Sequence, residues 1–248
     1  MQRLAIQVLG PDLAPPLLLL PGQANSHHWW DGLREPFAER FRTITFDYRG
    51  TGETSAPDGD WTTATFADDA VAVLDEVGVA RAAVYGTSMG GRIAQRLAID
   101  HPSRVSALVL ACTTPGGPHA VERGPDVRRM LAEPDRERRR ANLLELFYTD
   151  GRRTSNLLGD PGLTPQAARR HLRVSGRHDA WDGLPAIQAP TLVLHGSEDR
   201  MAPVENAALL AARIPGAQVS ITDGGRHGFF DEFSQAVSRD VLEFLSGD

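Results

Sequence analysis

The sequence predicts an α/β protein with a mostly parallel, doubly wound sheet of seven or eight strands. Short apolar runs alternate with amphipathic helical patterns, which is typical of a parallel sheet with helices on both faces. Several of the runs are uniformly apolar, as expected for strands that are buried on both sides. A chain of 248 residues is long enough for one large domain, or for a core that carries a sub-domain.

The predicted strands and helices follow one another in a regular order. The first strand ends at a Gly10-Pro11 turn, and we expect it at an edge of the sheet. The second helix places Phe66, Val73 and further apolar residues on one face. The strands are predicted at 4–10, 16–22, 42–50, 82–86, 105–112, 190–196 and 217–224, and the helices at 29–41, 64–78, 91–102, 204–214 and 230–245.

This alternation stops between Thr114 and Ile187. The segment contains helix-like pieces interrupted by proline and glycine, and no convincing strand pattern. We therefore predict a helical lid at 115–187 that covers one end of a core formed by 1–114 and 188–248.

Two features of the composition exclude whole classes of chemistry. The chain contains no lysine, so all 26 basic residues are arginines. Schiff-base catalysis, pyridoxal phosphate anchoring and the lysine of a P-loop are thereby excluded. Cys112 is the single cysteine, which excludes an internal disulfide and a cysteine-rich zinc site, and we expect it to be a small buried residue. No metal or organic cofactor is predicted.

The charge distribution bears on possible partners. A net charge of −6 argues against broad nucleic-acid binding. The longest purely apolar stretch, 17–20, is too short to cross a bilayer, and the N-terminal residues do not resemble a signal peptide. These observations predict a cytoplasmic protein that binds neither nucleic acid nor a membrane. Residues 115–190 hold 13 of the 26 arginines, which predicts either a solvated basic face or attraction of a carboxylate-bearing substrate.

The stretch Gly86-Thr87-Ser88-Met89-Gly90 has the pattern G-x-S-x-G between a predicted strand and a predicted helix. This context is typical of a nucleophile elbow, in which a serine occupies a strained turn at the carboxyl end of a strand. The residues two before and two after the serine must be small, because a side chain there would collide with the turn. We predict that Ser88 is a nucleophile, and that the Met89 amide at the helix N-terminus points into the site.

A nucleophilic serine needs a base, and the base needs an orienting acid. His227 follows the last predicted strand, and Asp199 follows the strand before it, so both are expected at the same edge of the sheet as Ser88. Glu198 is the neighbouring alternative for the acid. His27 and His28 are further candidates for the lining of the pocket.

Five motifs in order along the chain resemble those of the α/β-hydrolases: LLLLPG, FDYRGTGETS, GTSMGG, PTLVLHGSEDRMAP and GGRHGFF. The resemblance extends nearly from end to end and implies the α/β-hydrolase fold, with the lid inserted after the sixth strand of the family. It implies Ser88 as nucleophile, Asp199 as acid and His227 as base, and it implies an oxyanion hole formed by the amides of Met89 and Gln23. Most relatives carry an additional N-terminal strand before the one predicted at 4–10, whereas this sequence begins almost on that strand. The resemblance therefore leaves both seven and eight strands open.

Within this family the sequence is most similar to small bacterial esterases and lactonases of the 3-oxoadipate enol-lactonase type. The resemblance implies hydrolysis of an ester or lactone through an acyl-enzyme, without a cofactor. Two alternatives stay open: a MenH-like lyase or carbon–carbon bond hydrolase that acts on an anionic substrate, and a ligand-sensing protein with slow turnover. Arg92, which follows the nucleophile by four residues, is a candidate for binding an anionic substrate, and Phe147 and Trp181 of the predicted lid are candidates for an apolar roof.

Overall fold

The computed structural model describes residues 3–150 and 157–247, and its centre is a seven-stranded sheet. The strands are β1 (Ile6–Leu9), β2 (Pro16–Leu20), β3 (Arg42–Phe46), β4 (Ala82–Thr87), β5 (Val105–Ala111), β6 (Thr191–Gly196) and β7 (Gln218–Thr222). Their order in the sheet is β1-β3-β2-β4-β5-β6-β7. The β1 strand runs antiparallel to β3 at one edge, and the remaining neighbours are parallel. The predicted fold class, the edge position of β1 and the strand number are confirmed.

Helices cover both faces of this sheet. They are α1 (Glu35–Ala38), α2 (Thr63–Glu76), α3 (Met89–Asp100), α4 (Pro125–Leu131), α5 (Arg136–Phe147), α6 (Pro165–Gly176), α7 (Glu205–Arg213), α8 (Phe229–Glu232) and α9 (Ser234–Ser246). In β2, Leu18 and Leu20 pack on the face covered by α2, α3 and α7, whereas Leu17 and Leu19 pack on the face covered by α9. Alternate side chains of one strand therefore enter two separate cores, which explains the uniformly apolar sequence of β2.

Two predicted helices are broken in the structure. The helix expected at 29–41 consists of a short 3₁₀ turn, His27–Trp30, and the single-turn α1. Gly32 lies between them with a φ of +78°, which a continuous helix does not allow. The helix expected at 230–245 is divided into α8 and α9 at Phe233, whose φ of −105° and ψ of 30° depart from helical values.

The lid segment, residues 115–187, contains α4, α5 and α6 in its described part; residues 151–156 of the predicted lid lie outside the described residues. Val127, Leu146 and Phe147 belong to a small apolar cluster of the lid's own, whereas Ala167 and Val174 of α6 pack into the core over the sheet. The α6 part of the segment is therefore anchored on the sheet core, whereas α4 and α5 pack mainly against each other. Across the described residues, the helices are too short or too polar to cross a bilayer.

Candidate active site

Ser88 lies in a strained turn between β4 and α3. Its backbone has a φ of 53° and a ψ of −115°, a conformation that residues other than glycine rarely adopt. The flanking glycines make this turn possible. A Cβ atom at Gly86 would lie 2.3 Å from the Gly90 carbonyl oxygen, and one at Gly90 would lie 2.2 Å from the Leu20 carbonyl oxygen. Both positions thus require glycine for steric reasons.

The sheet brings three sequence-predicted residues together at its carboxyl edge. Ser88 follows β4, Asp199 follows β6 and His227 follows β7. The Nε2 atom of His227 lies 3.1 Å from Ser88 Oγ, and its Nδ1 atom lies 2.8 Å from Asp199 Oδ2. This continuous chain of hydrogen bonds has the geometry in which a carboxylate orients an imidazole toward a hydroxyl group.

Asp199, and not the alternative Glu198, faces the histidine. The Oδ1 atom of Asp199 accepts hydrogen bonds from the amides of Met201 at 2.8 Å and Ala202 at 2.9 Å, which leaves Oδ2 for His227. Glu198 points outward, where its carboxylate lies 3.7 Å from the Arg226 guanidinium. These two hydrogen bonds from backbone amides fix the orientation of the Asp199 carboxylate.

A second buried histidine supports the acid. His195, at the end of β6, donates through Nε2 to the Ala202 carbonyl oxygen at 2.6 Å and lies 3.6 Å from Asp199 Oδ2. Burial lowers the pKa of His195 and so favours its neutral form. The contact of His195 with the loop that carries Asp199 is visible only in the structure.

The lid helix α5 is bound to the loop that carries His227. The His227 amide donates to the Leu146 carbonyl at 3.2 Å, and the Gly228 amide donates to the Phe147 carbonyl at 2.9 Å. The Phe147 ring packs edge-on against the His227 imidazole, with 5.1 Å between the ring centroids. Arg226 donates to the carbonyls of Glu145 at 2.9 Å and Tyr148 at 2.8 Å. The end of α5 and the loop that carries His227 are thus joined by hydrogen bonds and by ring packing.

A cavity of about 400 Å³ lies above Ser88, between the sheet edge and the lid segment. Gln23, Met89, Arg92 and Phe147, four of the residues predicted for the site, line it together with Ser88 and His227. Trp181 does not line this cavity. Most of the remaining wall is apolar and includes Trp29, Leu131, Leu143, Leu157, Leu158 and Met201.

Trp181 packs elsewhere in the lid segment. Its ring stacks on His119 with 4.4 Å between centroids, and the Arg213 guanidinium lies 4.8 Å from its centre. The expected role of Trp181 in the roof therefore has no support in this geometry. The indole of Trp29 occupies the cavity wall instead, held by a 2.9 Å hydrogen bond from Nε1 to Thr87 Oγ1. In the sequence analysis Trp29 is the first residue of the helix predicted at 29–41, and it is not among the candidates for the cavity wall.

Other predicted candidates lie outside the cavity. His27 bonds to the buried carboxylate of Asp47 at 2.7 Å, and His28 pairs with Asp31 at 2.8 Å on the surface. Cys112, in contrast, is buried in the wall of the cavity, and burial raises the pKa of its thiol. Within the described ranges, no group of three or more His, Cys, Asp or Glu side chains is arranged to hold a metal ion.

Comparisons with known proteins agree with this architecture. Residues 15–233 match the family model for the α/β-hydrolase fold. The chain is 33% identical to the poly(3-hydroxyalkanoate) depolymerase of Ectopseudomonas oleovorans over 98% of this chain and 88% of that protein. It is 28% identical to a protein of Caulobacter sp. strain K31 named carbamate hydrolase RutD, over 94% and 91% of the two chains. A solved thermophilic esterase of Thermogutta terrifontis superposes with a TM-score of 0.80 at 26% identity, covering 98% of this chain and 93% of that one. From its sheet, its motifs and this match, the chain belongs to the α/β-hydrolase fold family.

Proposed function

We propose that this protein is a serine hydrolase that cleaves a carboxylic ester or lactone through an acyl-enzyme intermediate. The observation that carries the proposal is the hydrogen-bonded chain from Ser88 Oγ through His227 to Asp199, with separations of 3.1 Å and 2.8 Å. His227 accepts the Ser88 proton as Oγ attacks the acyl carbon, and it then donates that proton to the leaving alcohol. A water molecule, deprotonated by His227, releases the acid.

Two backbone amides are suited to stabilise the oxyanion of the tetrahedral intermediate. Met89 is the first residue of α3, so its amide has no acceptor within the helix, and Gln23 follows β2, the strand next to β4 in the sheet. In the described part of the chain neither amide donates to another backbone carbonyl. Both residues line the cavity with Ser88, and together they form the proposed oxyanion hole.

The lid segment would supply the pocket for the substrate chain. Its residues Leu143, Phe147, Leu157 and Leu158 give the cavity an apolar wall, which favours burial of an alkyl group next to the acyl carbon. In this proposal 115–187 is the lid over the core, and Phe147 both contacts substrate and supports His227.

Similarity to known proteins supports ester chemistry and adds a second candidate substrate. The depolymerase and the esterase reported above are named for ester hydrolysis. The RutD relative is named for a carbamate, whose carbonyl carbon the same serine would attack. We therefore treat a carbamate as the second candidate substrate.

The test combines covalent labelling with turnover. A fluorophosphonate probe is expected to modify Ser88, as located by peptide mass spectrometry, and p-nitrophenyl esters and lactones are expected to be hydrolysed. Ser88→Ala should lower kcat by about 10³-fold or more, because the nucleophile is lost. Ser106→Ala is the matched control, since Ser106 is exposed at the start of β5 and should leave kcat unchanged.

The possible failures point to different alternatives. An unlabelled Ser88, or full activity of the Ser88→Ala variant, would contradict the serine mechanism. Labelling of Ser88 without turnover of any ester, lactone or carbamate would favour a ligand-sensing protein. Elimination or carbon–carbon cleavage of an anionic substrate, with inert esters, would favour the lyase or carbon–carbon hydrolase alternative.

A further inference from the structure

Arg123 is a cation in the active-site cavity that has no bonded partner within the described part of the chain. It lies between β5 and α4, is partly buried, and lines the same cavity as Ser88 and His227. Among residues 3–150 and 157–247, its guanidinium has no hydrogen-bond acceptor or ion-pair partner. The adjacent acid, Glu122, is exposed and lies 3.6 Å from Arg128 instead. An arginine held in a largely apolar cavity without an anion is unfavourable unless something else supplies the negative charge.

Arg92, the arginine singled out by the sequence, is engaged differently. Its guanidinium donates to the Ser175 carbonyl at the end of α6 and to Thr114 Oγ1, which is 3.1 Å away. These bonds hold α6 against the core. Burial and repulsion by Arg123 lower the pKa of Arg92 to about 10. The two guanidinium groups therefore repel each other. Glu122 attracts both of them, and Asp199 attracts Arg123, but within the described residues neither carboxylate forms an ion pair with either guanidinium.

The position of Arg123 also fits a binding role. A second cavity of about 490 Å³ shares Gln23, Arg92, Arg123 and Ser175 with the first, so Arg123 lies at the junction of the two. A substrate bound at Ser88 in the first cavity therefore shares that cavity with this cation. Arg139 also lines the first cavity, but its Nη1 donates to the Glu133 carbonyl at 3.1 Å.

We propose that Arg123 binds the carboxylate of a substrate that carries this group away from its scissile ester bond. The inference rests on the proposed ester hydrolysis and specifies its substrate class: a monoester of a dicarboxylic acid, or an ester of a hydroxy acid. A guanidinium presents parallel N–H groups that match the two oxygens of a carboxylate, so the contact selects for charge and for shape. The apolar wall holds the methylene chain between the two ends.

Matched substrates test this selectivity. Monomethyl adipate and 6-acetoxyhexanoate place the carboxylate on the acyl side and on the alcohol side, and their carboxamide analogues keep the shape without the charge. The wild-type protein is expected to prefer at least one acid over its amide. Arg123→Gln should reduce kcat/KM for that acid by about 10- to 100-fold, the size of a hydrogen bond to a charged group, and leave the amide unchanged. Arg123→Lys should keep part of the preference.

Arg138→Gln is the control for net charge, because Arg138 is an exposed residue on α5. Arg138→Gln should leave the preference for acid over amide unchanged. If Arg123→Gln and Arg138→Gln reduced that preference equally, the effect would come from net positive charge and the proposed contact would be rejected. The proposal is overturned if the wild-type protein does not distinguish acid from amide on either side, or if Arg123→Gln slows both substrates equally.

A binding measurement separates this proposal from the proposed function. Titration calorimetry of adipate into the Ser88→Ala variant should give a dissociation constant that rises about 10- to 100-fold when Arg123→Gln is added. If adipate binding depends on Arg123 but the wild-type protein hydrolyses no ester, the carboxylate site is retained and the proposed hydrolase function is rejected. Esterase activity without Arg123-dependent binding would retain the hydrolase and reject the site.

Discussion

At the scale of single residues, the site depends on one strained serine and on the small residues around it. Ser88 has a positive φ, which is unfavourable for a residue with a side chain, and the surrounding turn has to compensate for this strain. The glycines do so by allowing backbone to approach backbone. A local sequence pattern could reveal this arrangement because the steric requirement is itself local.

Gly86→Ala is expected to damage both stability and activity. The new methyl group would lie 2.3 Å from the Gly90 carbonyl, which is backbone and can move only if the turn itself moves. We expect a loss of about 1–3 kcal/mol in the free energy of unfolding, and a lower kcat because Ser88 is displaced. Denaturant unfolding and ester turnover measure the two effects.

Gly176→Ala is the matched control. Gly176 ends α6, and a Cβ atom there would have no neighbour within 4 Å. This substitution should leave stability unchanged or raise it by up to about 1 kcal/mol, because alanine favours the helix. Wild-type stability of the Gly86→Ala variant would show that the steric argument is wrong.

At the scale of secondary-structure elements, the notable feature is the attachment of α5 to the histidine loop. The last carbonyls of a helix have no hydrogen-bond donors within the helix. Here the amides of His227 and Gly228 and the side chain of Arg226 donate to them. A helix of the lid segment therefore restrains the loop that carries His227. Direct contacts therefore couple the position of α5 to the position of His227.

Arg226→Ala should loosen α5 and slow turnover. The variant loses hydrogen bonds from a cation to two carbonyls, and we expect the free energy of unfolding to fall by about 1–3 kcal/mol. Hydrogen exchange of the amides in Arg136–Phe147 should accelerate, and kcat should fall because His227 is held less firmly.

Arg200→Ala provides the comparison for this prediction. Arg200 also links to the lid segment, but through exposed ion pairs with Asp126 at 2.6 Å and Glu145 at 3.2 Å. Exposed pairs of this kind contribute less than about 1 kcal/mol. If Arg200→Ala proved as damaging as Arg226→Ala, the capping of α5 would not be the important contact.

At the scale of the whole molecule, three buried histidines link stability to pH. His171, His178 and His195 are buried, and burial lowers the pKa of each. For His178, repulsion by Arg92 and Arg96 adds to this effect. The unfolded chain takes up protons at these side chains at a pH where the folded protein does not. Acid therefore favours the unfolded state.

Stability is expected to be greatest above a pH of about 6.5 and to fall as the pH decreases below that value. Each histidine adds up to about 1.4 kcal/mol per pH unit to this slope, until the lowered pKa of the folded state is reached. Denaturant unfolding between pH 8 and pH 5 measures how the free energy of unfolding changes with pH. His178→Gln should make the slope shallower, and an unchanged slope in this variant would contradict the role of His178.

Much of the architecture was accessible from the sequence because it depends on short-range patterns. Uniformly apolar runs predicted the buried strands, and the glycines around Ser88 predicted the turn. The carboxyl ends of parallel strands share one sheet edge, so the positions of Asp199 and His227 after their strands predicted that they would lie near Ser88. The helix boundaries were less accurate: the breaks at Gly32 and Phe233 do not interrupt the apolar periodicity on which the prediction relied.

The roles of the lid residues depended on how distant segments pack. The sequence does not distinguish the contacts of Arg92 from those of Arg123, yet α6 supplies a carbonyl acceptor to Arg92, whereas Arg123 lines the cavity without an acceptor among the described residues. Trp29 lines the cavity, whereas Trp181, the tryptophan expected in the roof, stacks on His119. Local periodicity records which residues are apolar or charged. It does not record which acceptor, ring or cavity the folded chain brings to each side chain, because those contacts join residues far apart in the sequence.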